Sequence, residues 1–309
     1  MIEVKGVTKR YKTGVTALNH LDLQVNEGEI FTLLGKNGAG KSTLIDCLTT
    51  VCQPTAGLIR IGGEELTERN VFAIRRQIAC VGQQISIDTF LTLKENMQLQ
   101  SKLYQVEKAA AEKRIAELIE IFELEGYTEH PIISYSGGVK RRLDIAMSLV
   151  SSPKVIFLDE PTVGLDVFSR KALWGCIRKI NTVLKTTVFL TTHYLEEAEV
   201  LSDRIFIMDK GRKVIAGSRQ ELTEYLQQRV IQLTFDTAQE QQQAYAVLLQ
   251  ENLKAAKQER KQLRVESENI QLITELLLKK KLAFSGIQLK RPSLEEIFIE
   301  ILSEKELEK

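Results

Sequence analysis

The 309-residue sequence predicts an α/β core followed by a small α+β domain. Three observations carry that expectation. The apolar run "GEIFTLLG" passes through a glycine-rich loop into a helical pattern that begins at Lys41. Two more apolar runs, "KVIFLDEP" and "TTVFLTTH", have the length and composition of buried strands. Near Gln228 the pattern changes to short strand-like stretches separated by two helical ones.

Along the chain, the first 25 or so residues alternate in the manner of strands, as in "GVTALNHLDLQV". After the glycine loop, "KSTLIDCLTTV" has helical spacing, with Leu44, Leu48 and Val51 expected on one face. "KAAAEKRIAELIEIFE" places Ile115, Leu118, Ile119 and Phe122 on one side of an amphipathic helix, which suggests a helical subdomain over about 85–150. "RIFIMDKGRKVIAG" reads as a hairpin turning at Asp209, Lys210 and Gly211. In the C-terminal part, "RVIQLTF", "KQLRVES" and "FSGIQLKR" read as strands. The helix carrying "LLLKKK" is expected to pack on their sheet, and Ser293 with Glu296 forms a capping box in the tail. The expected boundaries are 1–227 for the core and 228–309 for the small domain.

Composition narrows the function classes. With 43% hydrophobic and 27% charged residues the chain is an ordinary globular one. Lys plus Arg (42) nearly balances Asp plus Glu (41), so no strong field recommends a nucleic-acid partner. The basic cluster Lys140-Arg141-Arg142 is expected on a solvated or interface face of its helix. No apolar run is long enough to span a bilayer, and the N-terminus lacks a signal-peptide core. A cytoplasmic location is expected, with any membrane role coming through a partner. Cys47, Cys52, Cys80 and Cys176 have no zinc-ligand spacing and read as buried reduced thiols.

The chemistry starts at Gly35-Lys36-Asn37-Gly38-Ala39-Gly40-Lys41-Ser42, which fits the phosphate-binding P-loop. Glycines let successive backbone N–H groups point inward, the following helix adds its positive end, and Lys41 can neutralise β- and γ-phosphate oxygens. Ser42 offers a hydroxyl to Mg²⁺. Asp159, at the end of "VIFLD", would hold the same ion, and Glu160 would be a general base for water. Ser136-Gly137-Gly138 opens another helix with a hydroxyl and bare amides, a second phosphate grip in one chain. One nucleotide does not need two grips, unless the second reaches a nucleotide held by another copy.

These residues resemble the ATP-binding-cassette (ABC) ATPases, whose signature is usually written LSGGQ. The resemblance covers roughly residues 2–225, with the motifs in the family's order. It implies that Tyr11 stacks on adenine, and that the loop from Gly35 to Thr43 (Ala39 and Asn37 included) wraps ATP. Gln83 would touch Mg²⁺ and the attacking water, although Gln84 beside it leaves that assignment ambiguous. Asp166 would cross a dimer interface, His193 would contact the γ-phosphate, and Ser136, Gly137 and Gly138 would clamp the ATP of a second cassette. His20 and His130 match no motif and read as surface or packing residues.

Here the signature is Tyr135-Ser136-Gly137-Gly138-Val139. With "VGQ", "LTLKENM", "THYLEEAE" and "PSLEEIFIEI", it is similar to the daunorubicin-resistance branch (ABC-2 class) of drug and antibiotic exporters. That branch implies ATP and Mg²⁺ as cofactors, separate integral membrane subunits, a second cassette (copy or paralogue) and attachment to the inner face of the cell membrane. The alternatives are a soluble ABC ATPase of DNA repair or translation, or a subunit for lipid or sodium export. A single P-loop, a single signature and a balanced charge stand against the soluble ones.

Overall fold

The computed structural model describes residues 1–225, 230–258, 261–267 and 269–290. Two compact units divide the chain between Arg219 and Gln220, a few residues before the boundary expected from composition. The Ser293–Glu296 capping box lies outside the described residues.

The first unit opens with β1 (Ile2–Arg10), β2 (Thr16–Val25), β3 (Ile30–Leu34), α1 (Lys41–Leu48), β4 (Ala56–Ile61) and β5 (Glu64–Glu65). Next come α2 (Val71–Arg75), β6 (Ile78–Val81), α3 (Leu93–Leu103), α4 (Lys108–Ile121), α5 (Gly137–Ser148) and β7 (Val155–Asp159). It closes with α6 (Val167–Thr182), β8 (Thr187–Thr192), α7 (Leu195–Leu201), β9 (Arg204–Asp209) and β10 (Arg212–Gly217). Strands β2-β1-β4-β5 make an antiparallel sheet. The larger sheet has the order β10-β9-β3-β8-β7-β6, parallel except where β10 returns from β9 in the expected hairpin.

Alternation along the parallel strands divides the core. Phe31, Leu33, Val155, Phe157 and Phe189 join a cluster with the antiparallel sheet and Leu44, Ile45 and Leu48 of α1. Ile30, Ile156, Leu158, Val188 and Leu190 point the other way, into a cluster with Met97, Leu118, Phe122, Leu143 and Ile177. Both faces of the sheet are therefore covered, which is why its strands read as continuous apolar runs. Helices α3, α4 and α5 lie between β6 and β7 in the chain, and α3 packs on both of the others. α3 begins with a capping box between Thr92 and Glu95. α1 is shorter than its pattern suggested: it ends at Leu48, and Val51 is exposed rather than on the buried face.

In the second unit, β11 (Val230–Thr234), β12 (Ala255–Gln258), β13 (Gln262–Glu266) and β14 (Gly286–Lys290) pair in the antiparallel order β12-β13-β11-β14. α8 (Arg219–Tyr225) runs across the division, while α9 (Ala238–Gln250) and α10 (Ile270–Lys279) belong to the second unit. Ala244 and Leu248 of α9 and Ile273 and Leu277 of α10 bury against Ile231, Leu233, Leu263 and Val265. The "LLLKKK" helix thus packs on its sheet, as expected. No helix among the described residues is long and apolar enough to cross a membrane.

Cys47 and Cys176 are buried, but Cys52 is half-buried and Cys80 exposed, so burial of all four thiols does not hold. Burial pushes the Cys47 thiol up to about 12, with the nearby Cys52 adding to it. A different group sets a pH dependence. Glu197 of α7 is fully buried, and its Oε1 accepts the indole N–H of Trp174 at 2.9 Å. Burial raises its pKa above the usual carboxylate range, against smaller opposing effects from Thr192, Trp174, Thr162 and Arg170. A raised folded-state pKa favours the fold below the unfolded value and loses that contribution as pH rises through the folded one. Glu197→Gln keeps an acceptor for Trp174 and removes the titration. Its stability relative to the parent is expected to increase from pH 4 upward in denaturant melts. Parallel pH curves would show that Glu197 does not titrate this way.

Candidate active site

The strand order β3-β8-β7 brings three carboxyl-terminal loops to one edge, where ligands bind in open parallel sheets. After β3 comes the glycine loop, β7 ends on Asp159 with Glu160 next, and after β8 comes His193.

The loop is shaped by its contacts as well as by its glycines. Gly40 caps α1 with φ of 107°, and a Cβ there would lie 2.5 Å from the carbonyl oxygen of Ala17 in β2. Only glycine allows that turn and that approach together. Ala39 is buried, while Lys36, Asn37 and Gly38 are exposed. Lys41 is 6% exposed, and its Nζ donates to the carbonyl of Gly35 at 2.8 Å and to that of Lys36 at 3.4 Å. The cation is held inside the loop, where a phosphate would sit against it. Ser42, next on α1, is exposed.

Glu160 joins the three loops. Its Oε1 lies 3.3 Å from Lys41 Nζ and 3.3 Å from His193 Nδ1. Its backbone is in the left-handed region, φ 46°, a conformation that costs a non-glycine residue about 1–2 kcal/mol. Thr191 holds it there. The Glu160 N–H donates to the Thr191 carbonyl and to its Oγ1, both at 3.1 Å, and the Thr191 hydroxyl donates to Asp159 Oδ1 at 2.5 Å. One threonine thus orients both acidic residues. Asp46, one turn beyond Ser42 on α1, also reaches this edge. Burial raises its pKa, and the negative charge of Asp159 adds to the effect. An exposed serine hydroxyl and acidic side chains at this edge are a donor set that suits a hard divalent cation.

The other expected residues lie in separate places. Tyr11 is 39% exposed, and its hydroxyl is 3.3 Å from Thr43 Oγ1, linking the first strand to the P-loop helix. Gln83 and Gln84 are exposed after β6. Ser136 and Gly137 are exposed at the start of α5, where Ser136 Oγ accepts the Val139 N–H at 3.4 Å. Gly138 packs so tightly on α6 that a Cβ would lie 2.5 Å from Ser169 Oγ. Asp166 caps α6 through the N–H groups of Phe168 and Ser169 and the Ser169 hydroxyl, which hold its carboxyl below the usual range, the hydroxyl most strongly.

The signature's departures point inward. Tyr135 and Val139 are 5% and 4% exposed, and the Tyr135 hydroxyl donates to the carbonyls of Tyr127 and His130. They serve packing, while Ser136 and Gly137 face outward.

Thr191, Asp46, Arg141 and Asp144 were missed as site residues in the sequence. Arg141 is the plainest correction: it is 3% exposed and bonded within this chain, not on a solvated or interface face. Arg142 is also largely covered and donates to the Phe122 carbonyl at 2.9 Å. The available signal was that Arg141 and Asp144 lie three apart, on one face of a helix otherwise rich in apolar residues.

A P-loop and an acidic strand end on one sheet edge, beside a helix opened by an exposed serine-glycine pair, define an ATP-binding cassette. Comparison with known proteins agrees, and the chain belongs to the ABC transporter family, whose profile matches residues 18–163. It is 42% identical over 247 residues to the daunorubicin/doxorubicin resistance ATP-binding protein DrrA of Streptomyces peucetius, covering 80% of this chain and 74% of that one. It is 43% identical over 222 residues to the doxorubicin resistance ATP-binding protein DrrA of Mycobacterium tuberculosis (strain CDC 1551 / Oshkosh), covering 72% of this chain and 66% of that protein. Among solved structures, the ATP-binding cassette MJ0796, a dimer in a post-hydrolysis state bound to ADP and Pi, matches with a TM-score of 0.62 and 30% identity. That match covers 71% of this chain and 98% of the other.

Proposed function

We propose that this chain is the ATP-hydrolysing subunit of an export system. It powers integral membrane subunits on separate chains and pairs head to tail with a second cassette, a copy or a paralogue. The cargo is a drug, antibiotic or other amphipathic compound, and the place of work is the cytoplasmic face of the membrane. Similarity to doxorubicin-resistance proteins supports the export reading. One observation carries the ATPase part: Glu160 is shared between the loop lysine and His193, at 3.3 Å from each.

That geometry implies an order of events. Phosphates entering the loop meet its backbone N–H groups and the positive end of α1. Lys41 exchanges its contacts with Glu160 and the Gly35 carbonyl for phosphate oxygens. This releases the Glu160 carboxylate from its ion pair to accept a proton from water. His193, which faces the same carboxylate, contacts the γ-phosphate. A bound Mg²⁺, held by Ser42 and Asp159 and touched by Gln83, would neutralise phosphate oxygens. Ser136, Gly137 and Gly138 take the phosphates held by the second cassette, with Asp166 at the junction. Hydrolysis removes contacts made only in the closed pair, and the pair opens.

The test is to tag the chain in its native cell, solubilise membranes in mild detergent and identify what co-purifies. A multi-span membrane protein is expected. Recovery only from the soluble fraction, with ribosomes or DNA, would overturn the export reading.

A further inference from the structure

Arg141 and Asp144 of α5 are both 3% exposed, and their partners are unusual. Arg141 donates from Nε to the Pro161 carbonyl at 2.9 Å and from Nη2 to the Asp159 carbonyl at 3.4 Å. From Nη1 it donates to the Gly82 carbonyl at 2.7 Å and to Asp144 Oδ2 at 3.4 Å. Asp144 Oδ1 in turn accepts the Ser86 N–H at 3.2 Å and the Ser86 hydroxyl at 2.6 Å.

These contacts come in two pairs, each bracketing a residue of the candidate site. Gly82 and Ser86 are the two ends of the exposed segment that holds Gln83. Asp159 and Pro161 are the neighbours of Glu160. A buried ion pair is poor evidence of stabilisation, since apolar residues of similar volume often serve as well. Its distinctive asset is direction: a planar guanidinium carries five donors in a fixed fork, enough to hold three carbonyls from two loops at once. The same helix begins with exposed Ser136 and Gly137.

We infer that Arg141 and Asp144 are positioning residues, a clamp through which α5 sets the places of Gln83 and Glu160. The inference rests on the ATPase reading and deepens it. The element offered to the second cassette's nucleotide and the groups at this chain's own nucleotide hang on two adjacent side chains of one rigid helix. A shift of α5 on closure is therefore passed to Gln83 and to the Glu160 backbone without an intervening flexible segment.

The test uses the full chain, ATP turnover and, separately, equilibrium binding of ATP. Ser86→Ala removes one bond at an exposed position and should leave the fold intact. It is expected to lower kcat about three- to tenfold, with ATP affinity within about twofold, because small misplacements of reacting groups cost rate more than binding. Ser86→Thr, which keeps the hydroxyl, is expected to restore turnover. Arg141→Lys cannot reach three carbonyls and is expected to cost up to about a hundredfold in kcat. The clamp is overturned if Ser86→Ala turns over at the parent rate, or if Ser86→Thr is as impaired as Ser86→Ala. It is also overturned if the Arg141→Lys loss vanishes once rates are expressed per folded molecule. Glu160→Gln run alongside separates the two ideas. Full turnover there removes the ATPase site itself, whereas a dead Glu160→Gln beside normal Ser86 and Arg141 variants removes only the clamp.

Discussion

Glu160→Gln is expected to bind ATP with nearly unchanged affinity and to turn it over about a hundred- to ten-thousandfold more slowly. That range is what a positioned general base contributes. The amide has the shape of the carboxylate but cannot take a proton from water. Backbone placement should survive, since Glu160 is held by main-chain bonds to Thr191, which the substitution does not touch. The ion pair with Lys41 is lost, which leaves its ammonium free for phosphate, and the amide keeps the shape that faces His193. A kcat measurement beside equilibrium ATP binding decides the matter: near-normal turnover would remove Glu160 from the base role.

Lys41→Ala should fail at the earlier step. The ammonium sits inside the loop on the Gly35 and Lys36 carbonyls, and a hydrogen bond to a charged group contributes roughly 1.5–3 kcal/mol. Losing two such contacts to phosphate oxygens amounts to about 3 kcal/mol or more, a hundredfold or greater loss of ATP affinity. Glu160, only 11% exposed, loses its cationic partner at 3.3 Å, which costs stability as well, so binding is expressed per folded molecule. Titrating ATP against the folded variant is the check. Unchanged affinity would contradict the loop's assignment to phosphate. The two variants thus divide binding from chemistry.

Much of this was legible because the relevant signals are local. A five-residue apolar strand running into glycines, lysine and serine has few other meanings, and the helical spacing of Ile115, Leu118, Ile119 and Phe122 anticipates their burial. Where the reading failed, a local rule was overruled at a distance. Val51 continues an apolar helical pattern, yet α1 stops at Leu48 and the next residues turn away. Arg141 and Arg142 look like a solvated basic cluster by composition. Arg141 is instead buried because the carbonyls of Gly82, Asp159 and Pro161, at two strand ends, take donors from its guanidinium.

By itself, then, the sequence determined the strands and helix around the phosphate loop, the loop itself and the identity of the acidic and imidazole groups at the ends of β7 and β8. Each of these is written within a few consecutive residues. Only the tertiary structure decided that Lys41, Glu160 and His193 share one carboxylate oxygen, that Thr191 orients both acids, and that Arg141 ties α5 to Gly82, 59 residues away. The order β3-β8-β7 is not sequential, so the residues meeting on that edge come from distant parts of the chain. Their hydrogen bonds exist only after the apolar strands have packed and left the polar ends with no other partners.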